Sequence, residues 1–164
     1  MQTDERIGDS DMPICLRPAT LDDAPFLANV VIIATQAQGR FPSHVDVDEF
    51  RAEYEEWSRE TVLGAIPGCT LSVIEWDGEP AGRLRVVRKE AGITLAGIQL
   101  LPSYQNRGIG TALIEELKRE AKDSGLPLYI SVEKDNPDAR RLYERLGCRL
   151  IGQDEEEYHL AYGG

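Results

Sequence analysis

The stretch from Leu100 to Lys122 constrains the fold more than any other part of the chain. It begins as the end of an apolar strand, turns at Gly108 and Gly110, and continues into an amphipathic helix. Glycines can adopt positive φ and let the backbone approach a ligand, while the unpaired N–H groups of a first helical turn point to one place. These donors and the positive end of the helix dipole favour phosphate. The sequence therefore predicts a strand–loop–helix anion site.

The spacing around these glycines differs from that of the common nucleotide-binding loops. A P-loop needs Gly-Lys-Ser/Thr, but Arg107 precedes Gly108 and no lysine follows Gly110 in the motif. The dinucleotide fingerprint needs a third glycine or an alanine, and Leu113 occupies that position. The sequence favours neither ATP nor NAD.

Two motifs resemble those of the GNAT family of N-acetyltransferases. The segment Gln105–Gly110, Gln-Asn-Arg-Gly-Ile-Gly, resembles the family's pyrophosphate loop, Arg/Gln-x-x-Gly-x-Gly/Ala, and Pro102 stands where the preceding strand usually ends. The segment Asn136–Gly147 resembles a second family motif, Asn-x-x-Ala-x-x-Leu-Tyr-x-x-x-Gly. Both occur in the family's order and at its separation. The resemblance covers the C-terminal half of the chain, and the N-terminal half agrees in pattern only.

This resemblance implies a mixed α/β (α+β) fold. The expected architecture is a central, mostly antiparallel sheet of six to seven strands flanked by about four helices, with a splayed parallel strand pair at the cofactor site. A chain of 164 residues suits one domain. We assign residues 14–164 to a single N-acetyltransferase domain and predict that the polar, acidic residues 1–13 form a mobile tail.

The hydrophobic pattern predicts the order of the elements. Thr20 and Asp23 are placed as a capping box at the start of the first helix, and Asp77-Gly78 is a strong hairpin signal. Because a helix crosses between them, the strands on either side of the central helix must run parallel. The predicted strands are 14–17, 70–76, 81–87, 93–101, 127–132, 148–151 and 156–162; the predicted helices are 20–36, 46 or 48 to 59, 108–124 and 136–147.

Composition limits the partners of the chain. It is 41% hydrophobic and 29% charged with a net charge of −11, so it lacks the basic surface on which nucleic-acid binding rests. The acidic surface could steer a cationic amine or simply keep the protein in solution, and both interpretations stay open. No apolar run reaches the length of a membrane span, and the N-terminus lacks the segments of a signal peptide. We therefore expect no nucleic-acid or membrane partner, and a cytoplasmic location.

The cysteines predict neither a disulfide framework nor a metal site. Cys15, Cys69 and Cys148 are too few and too far apart for either. We expect three reduced residues in or near the core, and no metal.

The resemblance implies acetyl-CoA, or another acyl-CoA, as the donor. The glycine loop would hold the pyrophosphate, backbone groups near Ile98 and Leu100 would pair with the pantetheine arm, and the gap between the splayed strands would hold the thioester. The family has a bulge in this strand, and Gly97 in its interior is compatible with one. The implied cofactor-binding residues are Ile98, Leu100, Gln105, Asn106, Arg107, Gly108, Ile109, Gly110, Thr111, Asn136 and Tyr143.

Transfer to an amine also needs an acid for the leaving thiolate and a donor for the oxyanion. Tyr143 matches the family tyrosine that protonates the CoA sulfur, although helical spacing alone would make it a core residue beside Ala139 and Leu146. A backbone N–H near Leu100 would be the oxyanion donor. Both roles come from the resemblance.

The general base is not evident in the sequence. Family members carry a glutamate at one of two strand positions, which correspond here to Thr94 and Ser131. A water relay through Ser131 is one alternative. The other candidates that stay open are Tyr129, Glu133, Glu75, His44 and His159.

The first two helices and their loop cover the acceptor site in the resembling family. Phe50, Tyr54 and Trp57 recur at helical spacing, which by itself predicts core packing. The acceptor contacts that the resemblance implies are Phe41, His44, Tyr54 and Glu133. The acceptor would be a small-molecule or peptide amine, and the missing glutamates favour a small molecule.

Three functions are compatible with these observations. The first is an enzyme that moves an acetyl group from acetyl-CoA directly to a primary amine. The second is an acyl-CoA binding or sensing module without turnover, which the missing base motivates. The third is an interaction domain with a vestigial site, which the intact glycines disfavour. A homodimer through the terminal strand stays open.

Overall fold

A computed structural model describes residues 5–7 and 13–163 as an eight-stranded sheet with four α-helices. The strands are β1 (Glu5–Ile7), β2 (Ile14–Pro18), β3 (Cys69–Trp76), β4 (Glu79–Lys89), β5 (Gly92–Leu100), β6 (Leu128–Glu133), β7 (Arg149–Gln153) and β8 (Glu157–Tyr162). The helices are α1 (Ala24–Ala37), α2 (Val47–Val62), α3 (Ile109–Ser124) and α4 (Pro137–Arg145). Single 3-10 turns lie at Leu21–Asp23 and Pro102–Tyr104.

The sheet has the mostly antiparallel topology that the sequence predicts. Its strand order is β1-β2-β3-β4-β5-β6-β8-β7, and β5–β6 is the parallel pair. The sequence predicts six to seven strands, and the eighth is β1, which pairs with β2 from Glu5–Leu16 to Ile7–Ile14. Three residues of the expected mobile tail thus belong to the sheet, while 1–4 and 8–12 lie outside the described residues.

The two faces of the sheet carry different helices. One face packs against α3 through Ile109, Leu113, Ile114 and Leu117, and Tyr143 of α4 joins this core. The other face packs against α1 and α2, where Leu27 meets Leu71 and Val73. Since side chains alternate along a strand, neighbouring residues of one strand point to different helix layers.

The first two helices begin where their capping residues lie. The Thr20–Asp23 box is present, but it caps the 3-10 turn, and α1 starts at Ala24 because Pro25 fits only a first turn. Asp46 caps α2, and its side chain accepts from the N–H groups of Asp48 and Glu49. α2 continues to Val62, three residues past the predicted end, and it buries Thr61 on the way.

The pairing of β5 opens the sheet at its centre. β5 and β6 pair only from Ile93–Leu128 to Leu95–Ile130, so residues 96–100 have no partner in β6. On its other side β5 shifts register against β4 at Ala96, which forms a bulge next to Gly97. The predicted splayed parallel pair is present, and it leaves a gap beside the start of α3.

Candidate active site

The backbone of β5 presents polar groups to the gap. The N–H of Leu101 donates to the carbonyl of Ala81 at 2.9 Å. In an antiparallel ladder the hydrogen-bonded pairs alternate, so the N–H and C=O groups of Ile98 and Leu100 point away from β4. They therefore face the gap, where the sequence predicts pairing with an extended ligand and an oxyanion donor.

The loop before α3 has the conformation of an anion site. Asn106 (φ 62°) and Gly108 (φ 80°) are both left-handed. The N–H of Ala112 donates to the carbonyl of Gly108 at 3.0 Å as the helix begins. The N–H groups of Ile109, Gly110 and Thr111 precede that first bond, so they are the orphan donors of the helix terminus. Successive amides in this arrangement form an anion-binding concavity.

Gly110 leaves room at this terminus. A Cβ built on Gly110 meets only the Cδ2 atom of Leu142, at an ordinary contact distance of 3.7 Å. Its φ is not positive either. Neither the backbone nor the neighbouring side chains explain a glycine at this position, whereas close approach of a ligand to the helix start does. The loop therefore fits a pyrophosphate.

The polar side chains of the loop are held by the protein. The Gln105 Nε2 group donates to the carbonyl of Leu100 at 3.2 Å, which fixes the loop to the end of β5. The Arg107 guanidinium carbon lies 5.2 Å from the ring centre of Trp76 and 5.4 Å from that of Tyr104. The Arg107 guanidinium thus lies beside the helix start, within cation–π distance of both rings.

The second motif brings a buried phenol to the same core. Asn136 caps α4 by accepting from the N–H of Ala139 at 3.4 Å, as the sequence predicts. Tyr143 is 7% exposed and packs in the α3 core. Burial raises the pKa of Tyr143 to about 12. The phenol is protonated at neutral pH and is able to donate its proton.

A chain of three hydrogen-bonded side chains lies beside the gap. Ser131 is the first residue of β6 beyond the last pair with β5. Its Oγ lies 3.0 Å from Nδ1 of His159, and Nε2 of His159 lies 3.1 Å from Oδ2 of Asp154. A carboxylate only accepts, so Nε2 carries a proton; in the tautomer with its single proton on Nε2, Nδ1 accepts from the serine hydroxyl.

The ionisation of Asp154 supports this arrangement. Backbone N–H groups of Glu157 and Glu156 lower the pKa of Asp154, so it remains a carboxylate. Sequence reasoning named Ser131 and His159 as separate candidates and missed Asp154. The β6–β8 register, which places Ser131 opposite His159, brings them together.

The remaining candidates for acceptor binding and for the general base have different surroundings. Phe41 packs edge-on against Phe50, which stacks on Tyr54. His44 is exposed in the α1–α2 loop. Two acidic candidates are engaged in ion pairs: Glu133 with Arg40, and Glu75 with Arg17 at 3.2 Å.

Two arginines that sequence reasoning did not select lie under α2. The Arg83 and Arg85 guanidinium carbons lie 5.4 Å and 5.0 Å from the ring centres of Tyr54 and Trp57, respectively. Arg83 is 3% exposed. Alternation of polar and apolar residues in β4 was the signal that could have identified them.

Fold and site together define an α/β protein with an anion-binding helix terminus at an opened pair of parallel strands. The sequence model of the acetyltransferase (GNAT) family matches residues 34–148. The chain belongs to the GNAT family, as the two motifs indicated, and this membership supports acetyl transfer as the reaction class.

Relatives with assigned activities agree on this class. The chain is 32% identical over 133 residues to a mycothiol acetyltransferase of Clavibacter sepedonicus, a match that covers 79% of this chain and 42% of that protein. It is 24% identical over 138 residues to an N-alpha-acetyltransferase of Sulfurisphaera tokodaii, covering 83% and 80% of the two chains. The chain therefore spans less than half the length of the mycothiol enzyme.

Solved structures share the fold. The PaiA N-acetyltransferase of Thermoplasma acidophilum, in complex with coenzyme A, matches with a TM-score of 0.77 at 17% identity over 93% of this chain and 100% of that one. An acetyltransferase of Thermus thermophilus matches with a TM-score of 0.73 at 19% identity, over 93% and 98% of the chains. Within the described residues, no helix combines the length and apolarity needed to cross a membrane.

Proposed function

We propose that the chain is an acyl-CoA-dependent N-acetyltransferase that moves the acetyl group of acetyl-CoA directly to a primary amine. The observation that carries this proposal is the placement of the left-handed Gly108 and the amides of Ile109, Gly110 and Thr111 beside the gap between β5 and β6. One ligand with a pyrophosphate and an amide-rich arm could contact both. The coenzyme A in the related Thermoplasma structure supports this ligand.

The donor would extend from the helix terminus into the gap. The α3 amides would bind the pyrophosphate oxygens. The Ile98 and Leu100 backbone groups that face the gap would pair with the pantetheine amides as a strand does. The N–H of Leu100 would then stand near the thioester oxygen, where it stabilises negative charge as the carbonyl is attacked.

The departing sulfur needs one proton, and Tyr143 would supply it. The amine nitrogen bonds to the acetyl carbon as the carbon–sulfur bond breaks, and the electron pair of that bond remains on sulfur. Tyr143 would give its phenolic proton to the departing thiolate. Because its pKa is about 12, the phenol does not lose this proton to solvent at neutral pH.

A second proton leaves the amine, and Ser131, His159 and Asp154 offer a route for it. The Ser131 hydroxyl would take the amine proton and pass its own to Nδ1 of His159, at 3.0 Å. The Asp154 carboxylate on Nε2 would stabilise the imidazolium that results. This relay replaces the glutamate base that the sequence lacks.

The relay also bears on the competing proposal of an acyl-CoA sensor without turnover. That hypothesis rested on the missing base. A serine, a histidine and an ionised aspartate in hydrogen-bonding sequence at the mouth of the gap are what a proton-accepting enzyme needs. We therefore favour the enzyme.

The test is release of free thiol from acetyl-CoA by the purified chain, with and without a panel of primary amines, and with the acetylated amine identified by mass spectrometry. The enzyme should release thiol only when an amine is present. A sensor would bind acetyl-CoA and release none with any amine, and that result would refute the proposal.

A further inference from the structure

Buried polar atoms without a partner concentrate in one place. Within residues 5–7 and 13–163, the buried side-chain N and O atoms that lack a hydrogen bond are Ser58 Oγ, Arg83 Nε and Arg85 Nε. All three belong to α2 or to β4. Such atoms are few in native proteins, and a cluster of them calls for an explanation.

The structure is shaped to hold the Arg83 guanidinium. A Cβ on Gly97 of β5 would lie 2.7 Å from Arg83 Nη1, so a side chain at this position would displace the guanidinium from its present place. Nη1 donates to Oε1 of Gln99. The rings of Tyr54 and Trp57 cover the guanidinium, with centres 5.4 Å and 6.0 Å from Cζ.

No carboxylate of the described chain neutralises this pair of cations. The ion pairs among those residues leave out Arg83 and Arg85. Burial lowers the pKa of Arg83, and the like charge of Arg85 lowers it further. An aromatic ring compensates a buried cation only in part. An anion that reached this pair would be bound strongly because the donors are desolvated.

The cations lie on the acceptor side of the opened strands. Arg83 and Arg85 stand opposite Gln99 and Gly97, in the part of β5 that has left β6. Leu84 and Val86 point into the α3 core, so the two arginines point to the α1–α2 face.

The proton relay lies on the same face across the gap. Ile130, Val132 and Leu160 are in the α3 core, so alternation places Ser131 and His159 with the arginines on the α1–α2 face. The Arg83 guanidinium reaches Gly97 of β5, so the gap between β5 and β6 separates it from Ser131, and this gap is wider than the roughly 5 Å between paired strands. An acceptor that contacts both must span this gap.

We propose that the acceptor is a small amino acid, whose amine enters the gap beside Ser131 and whose carboxylate binds Arg83 and Arg85. The inference rests on the proposed acetyl transfer and specifies its substrate class. A guanidinium fork matches a carboxylate geometrically, and the unpaired Nε–H groups supply further donors. The acceptor would thus provide the counter-charge that residues 5–7 and 13–163 do not.

The first test compares acceptors in matched pairs. Thiol release is measured with α-, β- and γ-amino acids, each beside its own carboxamide, with a polyamine and a short amidated peptide as further acceptors. We expect kcat/KM for the carboxylates to exceed that of the carboxamides by about 10- to 100-fold, as expected for loss of a charge-assisted hydrogen bond. Equal rates for acids and carboxamides, or a preference for the polyamine or peptide, would overturn the inference and leave the acetyl transfer standing.

Variants of Arg83 separate recognition from structure. Arg83→Lys should raise KM for the amino acid about tenfold and leave CoA affinity unchanged, because it keeps the charge and loses the fork. Arg83→Met should remove the preference for carboxylates yet keep or raise the melting temperature, since apolar replacement of a buried ion is often stabilising. Arg88 lies on the same strand and is paired with Glu120. Arg88→Lys is therefore the matched control, and it should change neither the KM for the amino acid nor the melting temperature. A lower melting temperature for Arg83→Met with the preference intact would show a structural role and contradict the inference.

A binding measurement does not depend on turnover. Amino acids are titrated calorimetrically into the protein saturated with CoA, which carries no acetyl group to transfer. Heat of binding that disappears in Arg83→Met supports the inference, and absence of binding in the parent chain overturns it. If CoA itself does not bind, the proposed function fails and the inference fails with it.

Discussion

Tyr143, which we propose as the acid, shows how burial alters the chemistry of a single side chain. It lies in the α3 core at 7% exposure, and burial raises its pKa to about 12. An ordinary thiol has a pKa near 8.5, well below that of this phenol, so transfer of its proton to a free thiolate would be unfavourable. We propose that the phenol first donates a hydrogen bond to the sulfur as negative charge develops there, and gives up its proton at the cost of this pKa difference.

Tyr143→Phe should lower kcat by about 100-fold, within the range of general acid catalysis, while CoA affinity is unchanged. In the parent chain this acid should stay protonated through pH 10 because its pKa is raised. The pH profiles of kcat for the parent chain and the Phe variant should therefore have the same shape between pH 7 and 10. Thiol-release kinetics measure kcat, and calorimetry measures CoA affinity. Tyr158→Phe, a tyrosine of β8, is the control; full activity in Tyr143→Phe would exclude the acid role.

His159→Gln should lower kcat by about 100-fold by interrupting the path from Ser131 to Asp154. Residues that act as one unit give non-additive losses. The double variant Ser131→Ala, His159→Gln should therefore be no slower than His159→Gln alone. Losses that multiply, or a His159→Gln variant with normal kcat, would show that the three side chains do not form a relay.

The sequence predicts individual site residues that lie within one local motif. It does not predict which residues of different strands are brought together by strand pairing. Gly108, Gly110 and Asn136 occupy the expected loop and cap because neighbours in sequence determine them. Ser131 and His159 lie in different strands, and only the β6–β8 pairing brings them to 3.0 Å. Their association could not be inferred from spacing.

Among the elements, the 3-10 turn that leads into α1 depends on one carboxylate. Asp23 accepts from the Thr20 N–H at 2.7 Å and from two Arg17 nitrogens at 2.8 and 2.9 Å. The hydrogen bonds from Arg17 lower the pKa of Asp23. The stability that it contributes is thus present above the ordinary aspartate pKa and is lost as pH falls through the lowered value.

Asp23→Asn should reduce the free energy of unfolding by about 1–2 kcal/mol at pH 7, because a cap and a charge-assisted pair are both weakened. The deficit should shrink as the pH falls through the lowered pKa of Asp23. Urea unfolding at pH 7 and at a series of decreasing acidic pH values measures it. Asp22→Asn, an exposed neighbour, should change stability by less than about 0.5 kcal/mol; a deficit in Asp23→Asn that persists unchanged in acid would contradict this account.

Element types followed from periodicity, whereas element ends depended on tertiary contacts. Alternation predicts β3, and the turns at Asp77-Gly78 and 90–92 predict the returning strands β4 and β5; Asp77 and Gly78 both have positive φ, as their sequence indicates. The sequence predicts that α2 ends near Arg59, but the helix continues to Val62 because Thr61 is buried and donates to the Trp57 carbonyl. No local signal marks that burial.

For the molecule as a whole, the central sheet extends into a segment that looks unstructured in sequence. Residues 5–7 carry no periodicity, yet Ile7 is 1% exposed and belongs to the α3 core. Three residues are too few for a pattern, so the strand could be recognised only from its partner β2. The eighth strand is therefore a tertiary feature.

Ile7→Ala should lower the free energy of unfolding by about 2–4 kcal/mol, as loss of a buried isoleucine does. Leu63→Ala, at a position that is 73% exposed, should be nearly neutral. Chemical denaturation of both variants tests the difference. Equal stabilities would mean that β1 adds nothing to the core.

We expect acetyl-CoA to bind at the start of α3, and calorimetric titration of the chain with acetyl-CoA measures this binding. Gly108→Val and Gly125→Val form a matched pair, because both glycines are left-handed, at φ 80° and 69°, at opposite ends of α3. We predict binding in the parent chain and in Gly125→Val, and affinity at least about tenfold weaker in Gly108→Val, where the N-terminal amides are displaced. Absence of binding in the parent chain, or equal affinities in the two variants, would contradict the account.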